Sequence, residues 1–231
     1  MPHNPIAKKY ALIVAGGSGM RFGSQLPKQY VDLAGRPVLM HTIDVFRKSA
    51  ENIEIVLVLP DKDIPLWKEL CEKHHFNSPE RIASSGATRF HSVLNGLNMI
   101  DGNEGLVAIH DGVRPLVTSK MIDDSFNLAG KEGTAVPAIN MVDSVRRVDE
   151  VGNSCSLERS ALRAVQTPQT FNLNLIKSAY QNGFLPEFTD DASVAEKYGH
   201  KIYLYKGNVR NIKITHPVDI VTVEFYMSCD E

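Results

Sequence analysis

The chain has 231 residues, of which 43% are hydrophobic and 23% are charged, a composition typical of an ordinary globular protein. Its formal net charge of -2 gives no overall field that favours nucleic acid or an acidic membrane surface, so any basic site must be local. The length allows one large domain with a substantial core, with two unequal lobes as the alternative.

The first apolar stretch and the cysteines predict a cytoplasmic protein. The stretch that follows Tyr10 stops at Gly16, which is too short for a secretory signal or a membrane span. Cys71, Cys155 and Cys229 are far apart and have no CxxC spacing. We therefore expect reduced thiols, and neither a disulfide framework nor a zinc site.

Short apolar runs alternate along the chain with segments of helical periodicity. The runs at residues 11–14, 55–59 and 106–109 are predicted strands. Two predicted helices have apolar faces formed by Val38, Leu39, Ile43 and Phe46 in the first and by Phe90, Val93, Leu94 and Leu97 in the second. This alternation predicts an α/β fold with a Rossmann-like, mostly parallel sheet and helices on both of its faces.

Between these units, Cys71 and His74 have a helical spacing that would allow them to share a metal ion. Residues 66–75 are equally well interpreted as a surface helix whose wet end carries both side chains. No second pair of ligands is visible in the sequence, so we favour the surface helix.

The pattern changes from Thr134 onward. Residues 134–139 and 144–148 are strand-like, residues 150–153 form a predicted turn, and basic residues alternate with apolar ones. Such strands lack the continuous apolar character of a central strand. We therefore predict a paired β-arm at roughly residues 139–161 that projects from the sheet and packs on another subunit.

The last part of the chain is predicted to return to the core. Residues 202–205 and 212–214 are short apolar runs, and Thr215 is a candidate cap for a final helix with Pro217 in its first turn. The sequence has no internal repeat and no obvious linker, so a single domain over residues 1–231 is the favoured organisation.

Three polar clusters adjoin the predicted strands, at residues 16–21, 84–89 and 110–114. In open α/β sheets, ligands bind at the carboxyl ends of the strands. The three clusters are therefore expected to meet at one edge of the sheet and to form a single site.

The first cluster belongs to a glycine-rich loop at residues 15–23. Glycines let backbone N–H groups approach phosphate oxygens closely, so the loop is a candidate phosphate cradle, with a simple tight turn as the alternative. Phe22 occupies the third glycine position of the dinucleotide fingerprint, and no Gly-Lys-Ser/Thr follows for a P-loop. Arg21 and Lys28 add the fixed cations that nucleotidyl transfer requires, although a solvated surface lysine is the alternative for Lys28.

The run at residues 15–21 followed by Pro27-Lys28-Gln29-Tyr30 resembles the signature of the sugar-phosphate nucleotidyltransferases. Within them it is most similar to the 2-C-methyl-D-erythritol 4-phosphate cytidylyltransferases of non-mevalonate isoprenoid biosynthesis. Further matches, in the family's order, are His110-Asp111-Gly112-Val113-Arg114-Pro115, Thr167-Pro168-Gln169, Thr189-Asp190-Asp191-Ala192 and Asn211-Ile212-Lys213. The matches span nearly the whole chain.

The resemblance implies transfer of CMP from CTP, bound with Mg²⁺, to a polyol phosphate. It implies that Arg21 and Lys28 stabilise the transition state, and that Lys213 and Arg159 hold the phosphate of the second substrate. The residues implied to bind the nucleotide are Ala15, Gly16, Gly17, Gly19, Gly86 and Ser92.

For the second substrate, the resemblance adds Asp111, Arg114 and, on the arm, Ser144. Asp111 either orients the polyol or binds the cation, and it is the only metal-ligand candidate; a turn residue is the alternative. Because the family's arm reaches the partner's active site, the resemblance implies a homodimer. Without the family resemblance, Arg159 would be interpreted as an ordinary surface arginine.

Some features depart from the family or leave alternatives open. Ala87 replaces a residue that is acidic in some relatives, and Gly112 replaces a common alanine. His110 is interpreted as structural, since the attacking phosphate needs no general base. The competing functions are a ribitol 5-phosphate cytidylyltransferase, a nucleotide-binding or dinucleotide-dependent module, and a non-catalytic regulatory relative.

Overall fold

The computed structural model describes residues 8–17, 26–49 and 52–229. The strands are β1 Lys9–Val14, β2 Asp32–Leu33, β3 Arg36–Pro37, β4 Ile53–Leu59, β5 Arg81–Ser84, β6 Leu106–Asp111, β7 Thr134–Asn140, β8 Arg146–Val148, β9 Ser154–Ser156, β10 Arg163–Val165, β11 Gln169–Asn172 and β12 Leu204–Lys206. The α-helices are α1 Val38–Ser49, α2 Ile64–Lys73, α3 Arg89–Asn98, α4 Ser119–Glu132, α5 Leu173–Tyr180, α6 Asp191–Lys197 and α7 Pro217–Ser228. Short 3₁₀ helices lie at Lys28–Tyr30, Asp61–Asp63 and Arg159–Ala161.

The main sheet has the order β10-β7-β11-β6-β1-β4-β5, with β12 paired to β7. The pairs β5-β4, β4-β1 and β1-β6 are parallel, whereas β11 runs antiparallel to both β6 and β7. Helices follow the parallel strands as crossovers. The predicted α/β fold with a mostly parallel, Rossmann-like sheet is confirmed.

Helices cover both faces of the sheet, as the continuous apolar strands require. In β1, Tyr10 and Leu12 pack towards α3, α5 and α6 on one face, and Ala11 and Ile13 pack towards α1, α2 and α4 on the other. The predicted apolar face of α1 is fully buried. The core therefore has two layers, and the sheet lies between them.

The segment after Thr134 differs from its prediction. Residues of β7 are mostly buried, because β7 pairs with β10, β11 and β12 inside the main sheet. A separate antiparallel hairpin follows, formed by β8 and β9, and both of its strands are exposed. The strand in this hairpin begins at Arg146, so Ser144 precedes it.

The C-terminal segment returns to the core, as the sequence predicts, but its last helix begins one residue later than predicted. Residues 212–214 form no strand, and Ile214 is buried in a small cluster with Leu33, Val38 and Val223, against which α7 packs. The residue at the N-cap of α7 is His216 rather than Thr215, and its backbone N–H donates to Asp219 Oδ2 at 2.7 Å. Thr215 lies just before the cap, and its hydroxyl donates to the same Asp219 oxygen at 3.0 Å.

The α2 helix was predicted to expose Cys71, and this was wrong. Cys71 is only 8% exposed and lies in the core beside Trp67, and burial raises the pKa of its thiol to about 11. Across the described ranges, no cluster of three His, Cys, Asp or Glu side chains is arranged to bind a metal ion. Within the same ranges, no helix combines the length and apolarity that a membrane crossing needs.

Candidate active site

The carboxyl ends of β1, β5 and β6 open onto a cavity of about 450 Å³, a size suited to a small-molecule ligand. All three polar clusters of the sequence contribute to it through their described residues. The residues that line the cavity are Val14, Ala15, Gly16, Gly17, Lys28, Gln29, Gly86, Ala87, Thr88, Arg89, Ser92, Asp111, Val113 and Lys213.

The start of the glycine loop is held by contacts on both sides. The backbone N–H of Ala15 donates to the Val58 carbonyl at 2.9 Å, and the buried Gln29 side chain donates to the Ala15 carbonyl at 3.0 Å. A Cβ on Gly16 would lie 2.6 Å from the Cβ of Ser85, so only glycine allows the two loops to pack this closely. Gln29 thereby ties the Lys28 segment to the loop.

The second wall is the loop that leads into α3. Thr88 caps this helix by accepting from His91 N, and Ser92 Oγ accepts from Gly86 N and donates to the Thr88 carbonyl, each at 3.0 Å. A Cβ on Gly86 would lie 2.3 Å from the Cβ of His91. Ser92 therefore shapes the loop through its hydroxyl, and the N-terminal end of a ten-residue helix borders the cavity.

Asp111, the last residue of β6, is surrounded by cations. Its Oδ2 accepts from Arg114 Nε at 3.1 Å and lies 3.0 Å from Lys213 Nζ, while its Oδ1 lies 3.7 Å from Arg89 Nε. Burial alone would raise the pKa of this carboxyl, but Lys213, Arg89 and Arg114 hold the pKa well below its usual range. Asp111 is therefore a permanently ionised group at neutral pH.

His110 is fully buried and has a structural role at the end of β6. Its Nε2 donates to the Arg114 carbonyl at 3.2 Å, and its ring packs edge-on against Phe46 at 5.0 Å. Burial lowers the pKa of His110 to about 3, so the ring is neutral. Nδ1 is consequently an acceptor for Thr167 Oγ1 at 3.1 Å, and this hydroxyl accepts from the Asp111 backbone N–H.

The motifs near residues 167 and 211 hold this edge together. Asn211 Nδ2 donates to the Thr167 carbonyl at 2.8 Å, and Arg114 Nη1 donates to the Asn211 carbonyl at 2.8 Å. Gln166 Nε2 donates to the Asn208 carbonyl. These bonds fix the backbone that carries Lys213 against the end of β6.

A further set of side chains was not identified as functional from the sequence. Arg89, the first residue of α3, donates to both oxygens of Asp191 at 2.8 and 2.7 Å, and Tyr180 Oη donates to Asp191 Oδ1 at 2.6 Å. Asp191 is fully buried. The available signal was the position of Arg89 in the polar cluster at residues 84–89, together with the unexplained Thr189-Asp190-Asp191-Ala192 motif.

The predicted site residues fall into four groups. Those that line the cavity are Ala15, Gly16, Gly17, Lys28, Gly86, Ser92, Asp111 and Lys213. Arg114 lies behind Asp111 with its side chain 12% exposed, and its Nε and Nη1 donate to Asp111 and to the Asn211 carbonyl. Arg21 and Gly19 lie outside the described residues.

The remaining two predicted residues, Ser144 and Arg159, flank the exposed hairpin. Both are exposed, and neither lines the cavity of its own chain. Arg159 Nη1 donates to the Val142 carbonyl, which ties the base of the hairpin together. Their predicted role in a partner's site stays a prediction.

The two departures from the family have local explanations or consequences. A Cβ on Gly112 would lie 3.0 Å from both Ala15 Cβ and Leu39 Cδ1, so glycine relieves crowding beside the start of the glycine-rich loop. Ala87 lines the cavity with a methyl group where a carboxylate would add charge. The cavity wall at this point is therefore neutral.

The family model for 2-C-methyl-D-erythritol 4-phosphate cytidylyltransferase (IspD) matches residues 10–229. Two similar relatives carry that name: one from Bacteroides thetaiotaomicron is 46% identical over 213 residues, covering 92% of this chain and 96% of the relative. The other, from Bacteroides fragilis, is 48% identical over 210 residues, covering 91% and 95%.

A solved structure supports the same grouping. The 4-diphosphocytidyl-2C-methyl-D-erythritol synthase of Anaerococcus prevotii superposes with a TM-score of 0.81 at 30% identity, covering 95% of this chain and 96% of that structure. The matches to the family model, to the two relatives and to the solved structure each cover nearly the whole chain. The chain belongs to the 2-C-methyl-D-erythritol 4-phosphate cytidylyltransferase family.

Proposed function

We propose that this protein transfers CMP from CTP to 2-C-methyl-D-erythritol 4-phosphate and releases pyrophosphate. The observation that carries the proposal is a single cavity that joins the glycine loop and Lys28 to Asp111 and Lys213, in a chain of this family. The family's named reaction needs a nucleotide and a polyol phosphate side by side. The cavity offers a wall suited to each.

The reaction is an in-line displacement at phosphorus. A phosphate oxygen of the methylerythritol phosphate forms a bond to the α-phosphorus of CTP, while the bond from that phosphorus to the oxygen bridging to the β-phosphate breaks. The bond electrons leave with pyrophosphate. The attacking phosphate is already ionised at neutral pH, which agrees with a neutral, buried His110 that serves no general-base role.

Charge stabilisation is the main contribution of the protein to this step. Lys28 lies in a 3₁₀ helix beside the loop, where its ammonium would stabilise the charge that develops around the α-phosphorus. Arg21 has the same proposed role. Lys213, tied to Asp111, would align the attacking phosphate, and Asp111 would accept a hydrogen bond from a polyol hydroxyl.

We further propose that Mg²⁺ accompanies CTP. Asp111 is the one carboxylate among the described residues that line the cavity, and Mg²⁺ in nucleotide sites is often held by one or two carboxylates together with phosphate oxygens. The residues therefore fit an ion held mainly by the triphosphate. When bound, Mg²⁺ would neutralise part of the triphosphate charge.

A homodimer with composite sites is the proposed assembly. Its support is that Ser144 and Arg159 flank an exposed hairpin and do not line their own chain's cavity. In the dimer, these residues would reach the partner's second-substrate site. The free cysteines at positions 71, 155 and 229 suit the reducing cytoplasm, which we propose as the location.

The decisive measurement is pyrophosphate release from each of the four nucleoside triphosphates with Mg²⁺, paired with methylerythritol phosphate or ribitol 5-phosphate. The proposal predicts release with CTP and methylerythritol phosphate. Preference for ribitol 5-phosphate would identify the competing cytidylyltransferase. If no pair of substrates gives pyrophosphate, the protein is not a cytidylyltransferase for either polyol phosphate, and a nucleotide-binding module becomes the favoured function.

Lys28→Ala tests the assigned charge. Loss of one fixed cation should lower kcat by about a hundredfold or more. Lys120→Ala is the matched control, since Lys120 is an exposed lysine paired with Asp124 outside the cavity. A folded Lys28→Ala enzyme with the parent turnover would refute the role of Lys28.

A further inference from the structure

Arg89 holds an unusual position between the protein core and the cavity. It lines the cavity with a side chain that is 28% exposed, yet its two terminal nitrogens are both engaged by the fully buried Asp191. The Tyr180 hydroxyl donates to the same carboxylate. The guanidinium is therefore oriented from behind by a bidentate pair, the arrangement that gives arginine its most defined geometry.

The front of this guanidinium is directed at Asp111. Arg89 Nε lies 3.7 Å from Asp111 Oδ1, whereas Arg114 and Lys213 both act on Oδ2. At 3.7 Å the contact is an attraction between charges without a hydrogen bond. Among the described residues, the hydrogen bond from Arg114 goes to Oδ2, and none goes to Oδ1.

Cations on both sides of a carboxylate restrict its rotation. With Arg114 and Lys213 alone, the attraction acts on one oxygen, and Lys213 is an adaptable lysine whose side chain is 40% exposed. Arg89 adds a rigid charge beside the other oxygen. The carboxylate plane of Asp111 is thereby set by three cations, of which Arg89 is the one held by a buried carboxylate.

We propose that Arg89 is a positioning residue for Asp111: anchored by Asp191 and Tyr180, it holds the Asp111 carboxylate so that Oδ1 accepts a hydroxyl of the polyol phosphate. The inference rests on the proposed function for the identity of that hydroxyl. The proposal also gives the Thr189-Asp190-Asp191-Ala192 motif a function. Asp190 caps α6, and Asp191, the first residue of that helix, binds Arg89.

The kinetic test compares Arg89→Gln, Arg89→Lys and Asp191→Asn with the parent enzyme. For Arg89→Gln we expect kcat/KM for the polyol phosphate to fall by about tenfold to a hundredfold, with KM for CTP changed less than about threefold. Arg89→Lys should recover part of the loss, since it restores the charge. The double variant Arg89→Gln/Asp191→Asn should be no worse than Arg89→Gln alone, because both changes break one unit.

Arg36→Gln is the matched control. Arg36 makes an arginine–carboxylate pair with Asp44 at 2.9 Å, outside the cavity, and its loss should leave both KM values unchanged. Equal rises of KM for CTP and for the polyol phosphate in Arg89→Gln would overturn the proposal. So would parent kinetics accompanied only by a lower melting temperature, which would leave Arg89 a purely structural residue.

A ligand-free measurement separates this inference from the proposed function. Carboxyl-carbon NMR of the folded, ligand-free protein at neutral pH should show a changed chemical shift for the Asp111 carboxylate in Arg89→Gln, because the charge beside Oδ1 is lost. Tyr180→Phe, which keeps the Arg89–Asp191 pair, should show a smaller change. An unchanged Asp111 chemical shift in Arg89→Gln overturns the coupling, whether or not the parent enzyme releases pyrophosphate.

Discussion

Asp111 keeps a negative charge although its side chain is only 9% exposed. A buried carboxylate is costly unless cations and hydrogen bonds surround it. Arg89, Arg114 and Lys213 meet that requirement, and their own charges are in turn brought together by Asp111. The residue thus gathers the basic side chains that a cavity for two phosphorylated substrates needs.

Gly86→Ala tests the proposed nucleotide-binding role of the loop before α3. The new Cβ would lie 2.3 Å from His91 Cβ and 2.9 Å from the His91 backbone carbon, so the loop must move away from Ser92. We expect KM for CTP to rise by about tenfold or more. Gly130→Ala is the control, because its Cβ would make an ordinary 3.6 Å contact with Leu106; an unchanged KM in Gly86→Ala would contradict the assignment.

From the burial of His110 we predict that the folded protein loses stability as the pH is lowered. The folded pKa of His110, about 3, lies below the ordinary histidine value of 6.5, so below pH 6.5 the unfolded chain takes up a proton that the folded chain refuses. The contribution of the neutral His110 to the free energy of unfolding is complete above pH 6.5 and is lost as the pH falls towards 3. Between pH 7 and 5 the unfolding free energy should drop by about 2 kcal/mol through this residue.

The measurement is urea unfolding at pH 7 and pH 5 for the parent and for His110→Gln. The drop should be smaller in the variant, while His41, whose pKa is also lowered by burial, contributes equally to both proteins. Equal drops in the two proteins would show that His110 is not the responsible group.

Among the elements, the hairpin of β8 and β9 has little packing of its own, since all residues in its strands are exposed. Its order depends on the turn, where Asp149 Oδ1 accepts from Val151 N at 3.1 Å and from Asn153 N at 2.8 Å. The hydrogen bonds, first of all from the Asn153 side chain, lower the pKa of Asp149. Hydrogen bonds to Asp149 in the turn, rather than burial of apolar side chains, thus stabilise this hairpin.

Asp149→Ala should loosen this hairpin without unfolding the protein. The melting temperature should stay at the parent value, because the turn is outside the core. KM for the polyol phosphate should rise by about threefold to tenfold if the hairpin completes a partner's site, with KM for CTP unchanged. Asp149→Asn keeps the acceptor for both backbone N–H groups and should lie closer to the parent than Asp149→Ala. Polyol phosphate KM values that are equal in the alanine and parent enzymes would argue against the hairpin's role.

At the scale of the whole molecule, the cavity lacks Arg159 from its own chain, which lies at the base of the exposed hairpin. A two-fold dimer would place two hairpins symmetrically on two cavities. Each catalytic unit would then combine Lys28 of one chain with Arg159 of the other.

Subunit complementation tests this arrangement. Lys28→Ala and Arg159→Ala chains, carrying different tags, are expressed together and assayed as a mixture. Because random pairing makes half the dimers mixed, each with one intact site, activity should recover to about a quarter of the parent value. Activity no greater than the sum of the two separate variants, in a mixture shown to contain mixed dimers, would exclude composite sites.

The sequence by itself determined the α/β class, the parallel strands and the glycine loop, because these depend on local periodicity and on the backbone freedom of glycine. It also placed the polar clusters at residues 16–21, 84–89 and 110–114 at one edge, since the ends of parallel strands converge. Lys28 and Lys213 were assigned to the site by the family resemblance. The strand pattern misassigned β7, whose partners β10, β11 and β12 all come later in the chain.

Only the tertiary structure decided which charges meet. Arg89, Asp111, Asp191 and Lys213 are distant in sequence, and their ion pairs exist because α3, β6 and α6 pack around one sheet edge. No local pattern encodes such a network, since it depends on burial and on distances between elements. The strand pattern indicated where the site lies, and packing decided that Arg89 is anchored beside Asp111.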